Sequence, residues 1–465
     1  MENGMRTEKD SLGERQLPDD AYYGIQTLRA VENFPISGLR PHPTFTYTCA
    51  LIKRAAALVN ADLGCIPVPL AQGIEQAATE VMAGKFADQF VVDVYQAGAG
   101  TSHHMNINEV IANRALEILG QAKGDYQTLS PNDHVNYGQS TNDVIPTAIR
   151  LAALILLRDF LPQIEYLAEA LYQRGEEFAG VVKSGRTHLQ DAIPVRLGDS
   201  FQAWADIVLE HHHRLYAVQG ELKALGLGGS ACGTGLNTHP QFREQVIGVL
   251  GELTGFPLRP ARNPMASMQS MAAFVQTSAA LRNLAQDLTK LANDLRLLSS
   301  GPNTGLGEIN LPAVQPGSSI MPNKYNPVIP EMLNMVCFQV MGNDTTILLA
   351  AQAGQLELNV MMPLIAHNLL QSLELMTTSL RTFRVRCVEG ITANPLRCRY
   401  LAERSLALVT VLNPYLGYLK AAEVAQVSQI SGRSLSEILI EKNYLNESKL
   451  AELLNLDVMS QMNFS

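Results

Sequence analysis

The sequence predicts an all-α protein built on a bundle of long helices, and three observations carry that reading. First, Leu281, Leu284, Leu288, Leu291, Leu295 and Leu298 recur at spacings of 3, 4, 3, 4 and 3, a heptad seam. The helix bearing them is expected to start after Pro264 and stop at Ser299-Ser300-Gly301-Pro302. That is roughly 35 residues, or about 50 Å at 1.5 Å per residue, and it needs partner helices of similar length. Second, long helical patterns cover 142–177, 197–225, 327–353 and 361–388. Third, strand patterns are few and short, and no β–α–β alternation occurs.

The length of 465 residues suits about three domains. We expect an N-terminal domain over 1–140, a central long-helix bundle over 141–393 and a small helical domain over 394–465. In the last of these, Asn413-Pro414 and Gly432 break the chain into shorter helices. A hydrophobic share of 46% with 17% charged residues describes an ordinary globular protein with a large core. The net charge of -9 argues against nucleic acid as a partner. No apolar run approaches the length of a membrane span, and Leu151–Leu157 reads as core helix. The opening MENGMRTEKDSLGERQ is charged and lacks the apolar stretch of a signal peptide, so a cytoplasmic setting is expected. Cys49, Cys65, Cys232, Cys337, Cys387 and Cys398 are scattered without a CxxC pair, which indicates neither a zinc site nor a disulfide framework.

The most informative stretch is GSSIMPNKYNP, residues 317–327, which concentrates two serines, a lysine, two asparagines and two prolines in eleven residues. It precedes a helix start, with Asn326 as the expected cap and Pro327 at the first helical position. Hydroxyls, one positive charge and helix N-terminal N–H groups suit the holding of a carboxylate and removal of a proton from the carbon beside it.

This loop resembles the signature loop of the aspartase/fumarase superfamily. The likeness extends, in the family's order, through LPDDAYYGIQTLRAVENFPISG, GAGTSHHMNINEV, GQSTNDVIPTA, SGRTHLQDAIP, GLGGSACGTGLN and GPNTGLGEINLP. GTS at 100–102, STND at 140–143, RTHLQDA at 186–192 and NPVIPE at 326–331 resemble the aspartase branch, where fumarases usually show GTQ, SSND, RTHTQDA and NPTQCE. The resemblance implies deamination of L-aspartate to fumarate and ammonia with no organic cofactor. It further implies a homotetramer whose central helices form one bundle and whose active sites combine chains. Fumarate hydration by the same fold, and a lyase fold retained without catalysis, are the competing readings.

Such an elimination passes through a doubly charged aci-carboxylate, so hydrogen-bond donors must converge on one carboxylate. By the resemblance, Ser318 is the general base, and Thr101, Ser140, Thr141 and Ser319 hold the β-carboxylate. Lys324 and Asn326 hold the α-carboxylate, and Asn142, Thr187 and His188 surround the amino group. Glu331 orients His188. Ser318 needs backbone N–H donors and a cation to act as a base, and the Gly317 turn with Lys324 is expected to supply them. Ser140 and Thr141 also read as helix caps, and Glu331 as a complement to its helix dipole.

Two tempting signals are declined. Consecutive His211-His212-His213 point about 100° apart on a helix, unlike the i,i+4 pairs that bind metal. The glycine-rich 226–235 follows a helical pattern and not an apolar strand, which fails the dinucleotide-binding context. Asn303, Asn323, Tyr325 and His103-His104 depart from the family's usual residues and bear on rate and substrate preference, with Asn323 bearing on loop mobility.

Overall fold

The computed structural model of the protein describes residues 4–461. Long helices dominate it, accompanied by four two-stranded sheets among the described residues. The expected helices form as Thr141–Glu177, Leu197–Leu222, Val328–Gln352 and Met362–Arg386. Thr141–Glu177, at 37 residues, is about 55 Å long. Its first half is apolar nearly all round: Val144, Ile145, Ala148, Ile149, Leu151, Ala152 and Leu154 are fully buried. Such a helix gains its stability by lying inside a bundle. No helix among the described residues is long and apolar enough to cross a membrane.

The heptad seam lies in the core. Leu281, Leu284, Leu288, Leu291 and Leu295 are all buried. The helix carrying them is shorter than expected, because the pattern divides into Pro264–Gln269 and Ala272–Leu298. The break has a local cause. Ser270 is extended at φ -95° and ψ 124°, and its hydroxyl accepts from Ala272 N at 3.3 Å, which starts the second helix afresh. The uninterrupted run is therefore about 40 Å long.

The described residues fall into two compact units. The first takes the chain up to Leu161 together with His213–Ala285 and Phe338–Thr377; the second takes Pro162–His212, Gln286–Cys337 and the chain from Thr378 onward. In the first unit the helices Pro43–Asp62, Val68–Met82 and Thr101–Ile118 pack on one another. Glu109, from the NEV motif, accepts from Gly24 N, Gln26 N and Thr27 N at 2.9, 2.9 and 3.1 Å and so covers the start of the Ile25–Asn33 helix.

In the second unit, strands Val182–Thr187 and Gln190–Arg196 form an antiparallel hairpin that packs on the Pro395–Glu403 helix. The shorter C-terminal helices share a core of Leu408, Leu412, Val424, Leu435, Ile438, Leu439 and Leu450. Ser434 and Glu437 form a capping box that starts one of them.

Candidate active site

The 317–327 loop folds back on itself through three hydrogen bonds. Gly317 N donates to Lys324 O at 2.8 Å, Asn326 Nδ2 to Gly317 O at 2.7 Å, and Lys324 Nζ to Asn326 Oδ1 at 2.7 Å. A Cβ on Gly317 would sit 2.4 Å from the Lys324 carbonyl, so the close approach requires glycine. Asn323 takes φ 61°, the left-handed region that asparagine tolerates better than most residues. Inside the loop, Ser318 Oγ accepts from Ile320 N at 3.2 Å and Met321 N at 3.0 Å. Two N–H groups aimed at one hydroxyl oxygen favour its negatively charged form. The expected donors are thus the backbone, while the Lys324 ammonium is engaged by Asn326.

The helix start differs from expectation. The helix begins at Val328, and Asn326 uses its side chain to close the loop and not to cap. Its backbone oxygen accepts from Val328 N at 2.8 Å. Glu331 stands in the first turn, where a carboxylate complements the dipole. Arg296, Ser299, Ser300, Asn310, Lys324 and Asn326 line a cleft of about 570 Å³, a volume typical of small-molecule sites.

Thr187 and His188 sit at the tip of the 182–196 hairpin. Thr187 pairs with Gln190, leaving His188-Leu189 as a two-residue turn with φ 56° and 60°. Positive φ at both positions is the type I′ geometry that ordinarily selects Asn-Gly. Holding two non-glycine residues there costs roughly 1–3 kcal/mol each, a device met at functional sites. Both His188 and Leu189 are exposed. The root of the hairpin is anchored by a buried ion cluster. Glu308, fully buried, accepts from Arg186 Nη1 and Nη2 at 3.0 and 2.9 Å, with Lys183 Nζ at 3.5 Å. Burial pulls the Lys183 pKa down, and the Glu308 charge counters it.

In the first unit, Ser140, Thr141 and Asn142 open the Thr141–Glu177 helix. Ser140 Oγ accepts from Asn142 N at 3.3 Å, so it does cap. Asp143 Oδ1 accepts from Ser140 N at 2.9 Å. Its Oδ2 accepts from Gly228 N and Ser230 N at 3.0 and 2.9 Å, which ties the helix start to the glycine-rich segment. Burial raises the Asp143 pKa to about 6, opposed by those three backbone donors and Lys53. Asn142 Nδ2 donates to Ala231 O at 2.8 Å. Thr141 Oγ1 lies 2.7 Å from His104 Nδ1. Thr101, exposed, opens the Thr101–Ile118 helix after Gly100, whose φ is 89°.

The glycine-rich segment follows the Leu197–Leu222 helix and a two-residue strand, Ala224–Leu225. His211 pairs with Asp287 at 2.7 Å and His212 with Glu165 at 3.2 Å.

Thr101, Ser140, Thr141 and Asn142 thus belong to the first unit. Thr187, His188, Ser318, Ser319, Lys324, Asn326 and Glu331 belong to the second. Among the described residues of this one chain, no hydrogen bond or ion pair joins His188 to Glu331, or Lys324 to Ser318. Sequence reasoning missed Lys53, Arg186, Asp143 and Glu308, although the last three lie inside the motif blocks. Buried charge was the missing signal, and burial is invisible in a single sequence.

A family model described as lyase matches residues 13–342, and one described as the fumarase C C-terminus matches 408–461. The chain is 48% identical to aspartate ammonia-lyase of Bacillus subtilis (strain 168), covering 97% of this chain and 95% of that protein. It is 50% identical to class II fumarate hydratase of Halobacterium salinarum, covering 99% and 98%. A crystal structure of fumarate lyase:delta crystallin from Brucella melitensis bound to cobalt superimposes with a TM-score of 0.94 at 49% identity, covering 99% of this chain and 100% of that one. Recombinant class II fumarase from Schistosoma mansoni gives 0.93 at 38% identity, covering 98% and 99%. With its long-helix fold, its folded serine loop and these near full-length likenesses, the chain belongs to the aspartase/fumarase superfamily of lyases.

Proposed function

We propose that the chain is a carbon–nitrogen lyase that interconverts L-aspartate with fumarate and ammonia. The observation that carries the reading is the pair of backbone N–H groups on Ser318 Oγ. As an alkoxide stabilised there, Ser318 takes the C3 proton, and the C3–H electron pair moves into the adjacent carboxylate to give the aci-carboxylate. Its collapse forms the C2–C3 double bond and expels ammonia. Thr101, Ser140, Thr141 and Ser319 donate to the β-carboxylate, whose charge grows during the reaction. Lys324 and Asn326 hold the α-carboxylate, while Asn142, Thr187 and His188 surround the amine, with Glu331 behind His188. The bacterial relatives that share 46–49% identity are named aspartate ammonia-lyases, which supports ammonia as the leaving group.

We infer a cytoplasmic homotetramer with composite sites. Met335, Phe338, Leu348 and Leu349 on the Val328–Gln352 helix are more than half exposed in the single chain, which supports their burial against other copies.

Fumarate hydration is the second reading, favoured by the 50% identity to the Halobacterium salinarum hydratase. The two are separated by supplying fumarate with ammonium and fumarate in plain buffer. Aspartate accumulation only with ammonium is expected; malate formed at a comparable rate without it would move the assignment to a hydratase.

A further inference from the structure

Lys53 is fully buried in the first unit, on the Pro43–Asp62 helix. Its Nζ meets three groups: His104 Nε2 at 2.7 Å, Asn136 Oδ1 at 2.9 Å and Gln139 Oε1 at 2.9 Å. An ammonium has three N–H donors and no acceptor, so these partners use all of it. The two amides are oriented independently. Asn136 Nδ2 donates to Gln139 O at 3.2 Å, and Gln139 Nε2 to the Val135 and Tyr137 carbonyls at 3.2 Å each. Both amide oxygens therefore face Lys53.

His104 Nε2 then accepts from Lys53. A neutral imidazole that accepts at Nε2 carries its proton on Nδ1. That Nδ1 lies 2.7 Å from Thr141 Oγ1 and donates to it. With a lone pair so occupied, the Thr141 hydroxyl hydrogen is released to point away from His104, at a helix start where the side chain is half-buried. Burial pushes the His104 pKa well below its ordinary value, helped by the Lys53 charge, which keeps the ring neutral. Burial also draws Lys53 down to about 7, opposed by Cys49 and Asp143. The three acceptors hold the ammonium against that desolvation.

We propose that Lys53 and His104 are positioning residues that set the Thr141 hydroxyl as a hydrogen-bond donor to the substrate carboxylate. The proposal rests on the reading of Thr141 as a carboxylate ligand. A structural role alone would make the effects of substituting His104 and Thr141 independent; positioning through Thr141 makes them overlap.

The test is a double-mutant cycle of His104→Leu and Thr141→Val on aspartate deamination, with thermal midpoints measured beside it. Thr141→Val is expected to lower kcat by roughly 10²-fold, the loss typical of one donor to a developing anion. His104→Leu should lower kcat about tenfold with little change in KM, and in the Thr141→Val background it should cost less than about twofold. Multiplicative losses, or full activity in His104→Leu, would overturn the proposal. Full activity in Thr141→Val would overturn the carboxylate reading beneath it. Should His104→Leu not fold, the unsubstituted enzyme still decides: ¹⁵N-histidine spectra must show the Nδ1–H tautomer for His104, assigned by its disappearance in His104→Asn. An Nε2–H tautomer or an imidazolium would sink the idea.

Discussion

Glu308→Gln should destabilise the protein and weaken the hairpin that carries Thr187 and His188. The carboxylate is fully buried and receives both terminal nitrogens of Arg186, with Lys183 a little farther off. Replacing it with a neutral amide leaves two largely buried cations without a counter-charge. Breaking a buried pair in this way costs about 3–5 kcal/mol. Lys183 escapes part of that cost, because burial already draws its pKa down and it can shed its proton. Arg186 has no such route, since a guanidinium keeps its charge in proteins.

The lower end, about 3 kcal/mol, is therefore expected, and the thermal midpoint should fall by roughly 5 °C. Differential scanning calorimetry at fixed protein concentration checks this, because an oligomer's midpoint depends on concentration. Arg186→Met added to Glu308→Gln should recover part of the loss, since it removes the stranded charge. A midpoint within 1 °C of the parent for Glu308→Gln, with unchanged kinetics, would refute the anchoring argument.

Three further outcomes are expected. Ser318→Ala should lower turnover by roughly 10²–10⁴-fold while leaving substrate binding largely intact, as the loss of a general base does; near-normal turnover would assign the base elsewhere. Lys324→Ala should weaken substrate affinity as well as kcat/KM, because its charge pairs with a carboxylate in ground and transition states alike; calorimetric titration beside steady-state kinetics separates it from Ser318→Ala. Thr141→Ala and Ser318→Ala, each strongly impaired, should regain activity above either alone when refolded together, since hybrid tetramers rebuild intact composite sites; no recovery, or an active monomer by light scattering, would contradict sites shared between chains.

Ser318 shows how much of the site could be read before folding. Its residue type, its place in GSSIMPNKYNP and its need for backbone donors are all properties of local sequence, and the loop supplies those donors from Ile320 and Met321, two and three residues on. Leucines at heptad spacing likewise declared a buried helix seam, because the 3.5-residue period is a local property of the chain. The Ser270 break went unread because a serine inside a helical pattern is silent until its hydroxyl finds the Ala272 N–H.

Everything that depended on distant partners waited for the tertiary structure. Lys53 and His104 lie 51 positions apart, and Arg186 and Glu308 lie 122 apart. Periodicity carries no information across such separations, and a lysine or glutamate in sequence reads as solvated surface. Only packing removes water from these groups, and without water each must find a specific partner. His188 was named from its motif, but the left-handed turn that displays it arises from strand pairing between Thr187 and Gln190. The sequence by itself thus determined the long-helix architecture and the serine loop with its local backbone donors. The fold decided which charges are buried, what orients the hydroxyls and which residues share a unit, because those follow from desolvation and long-range contact.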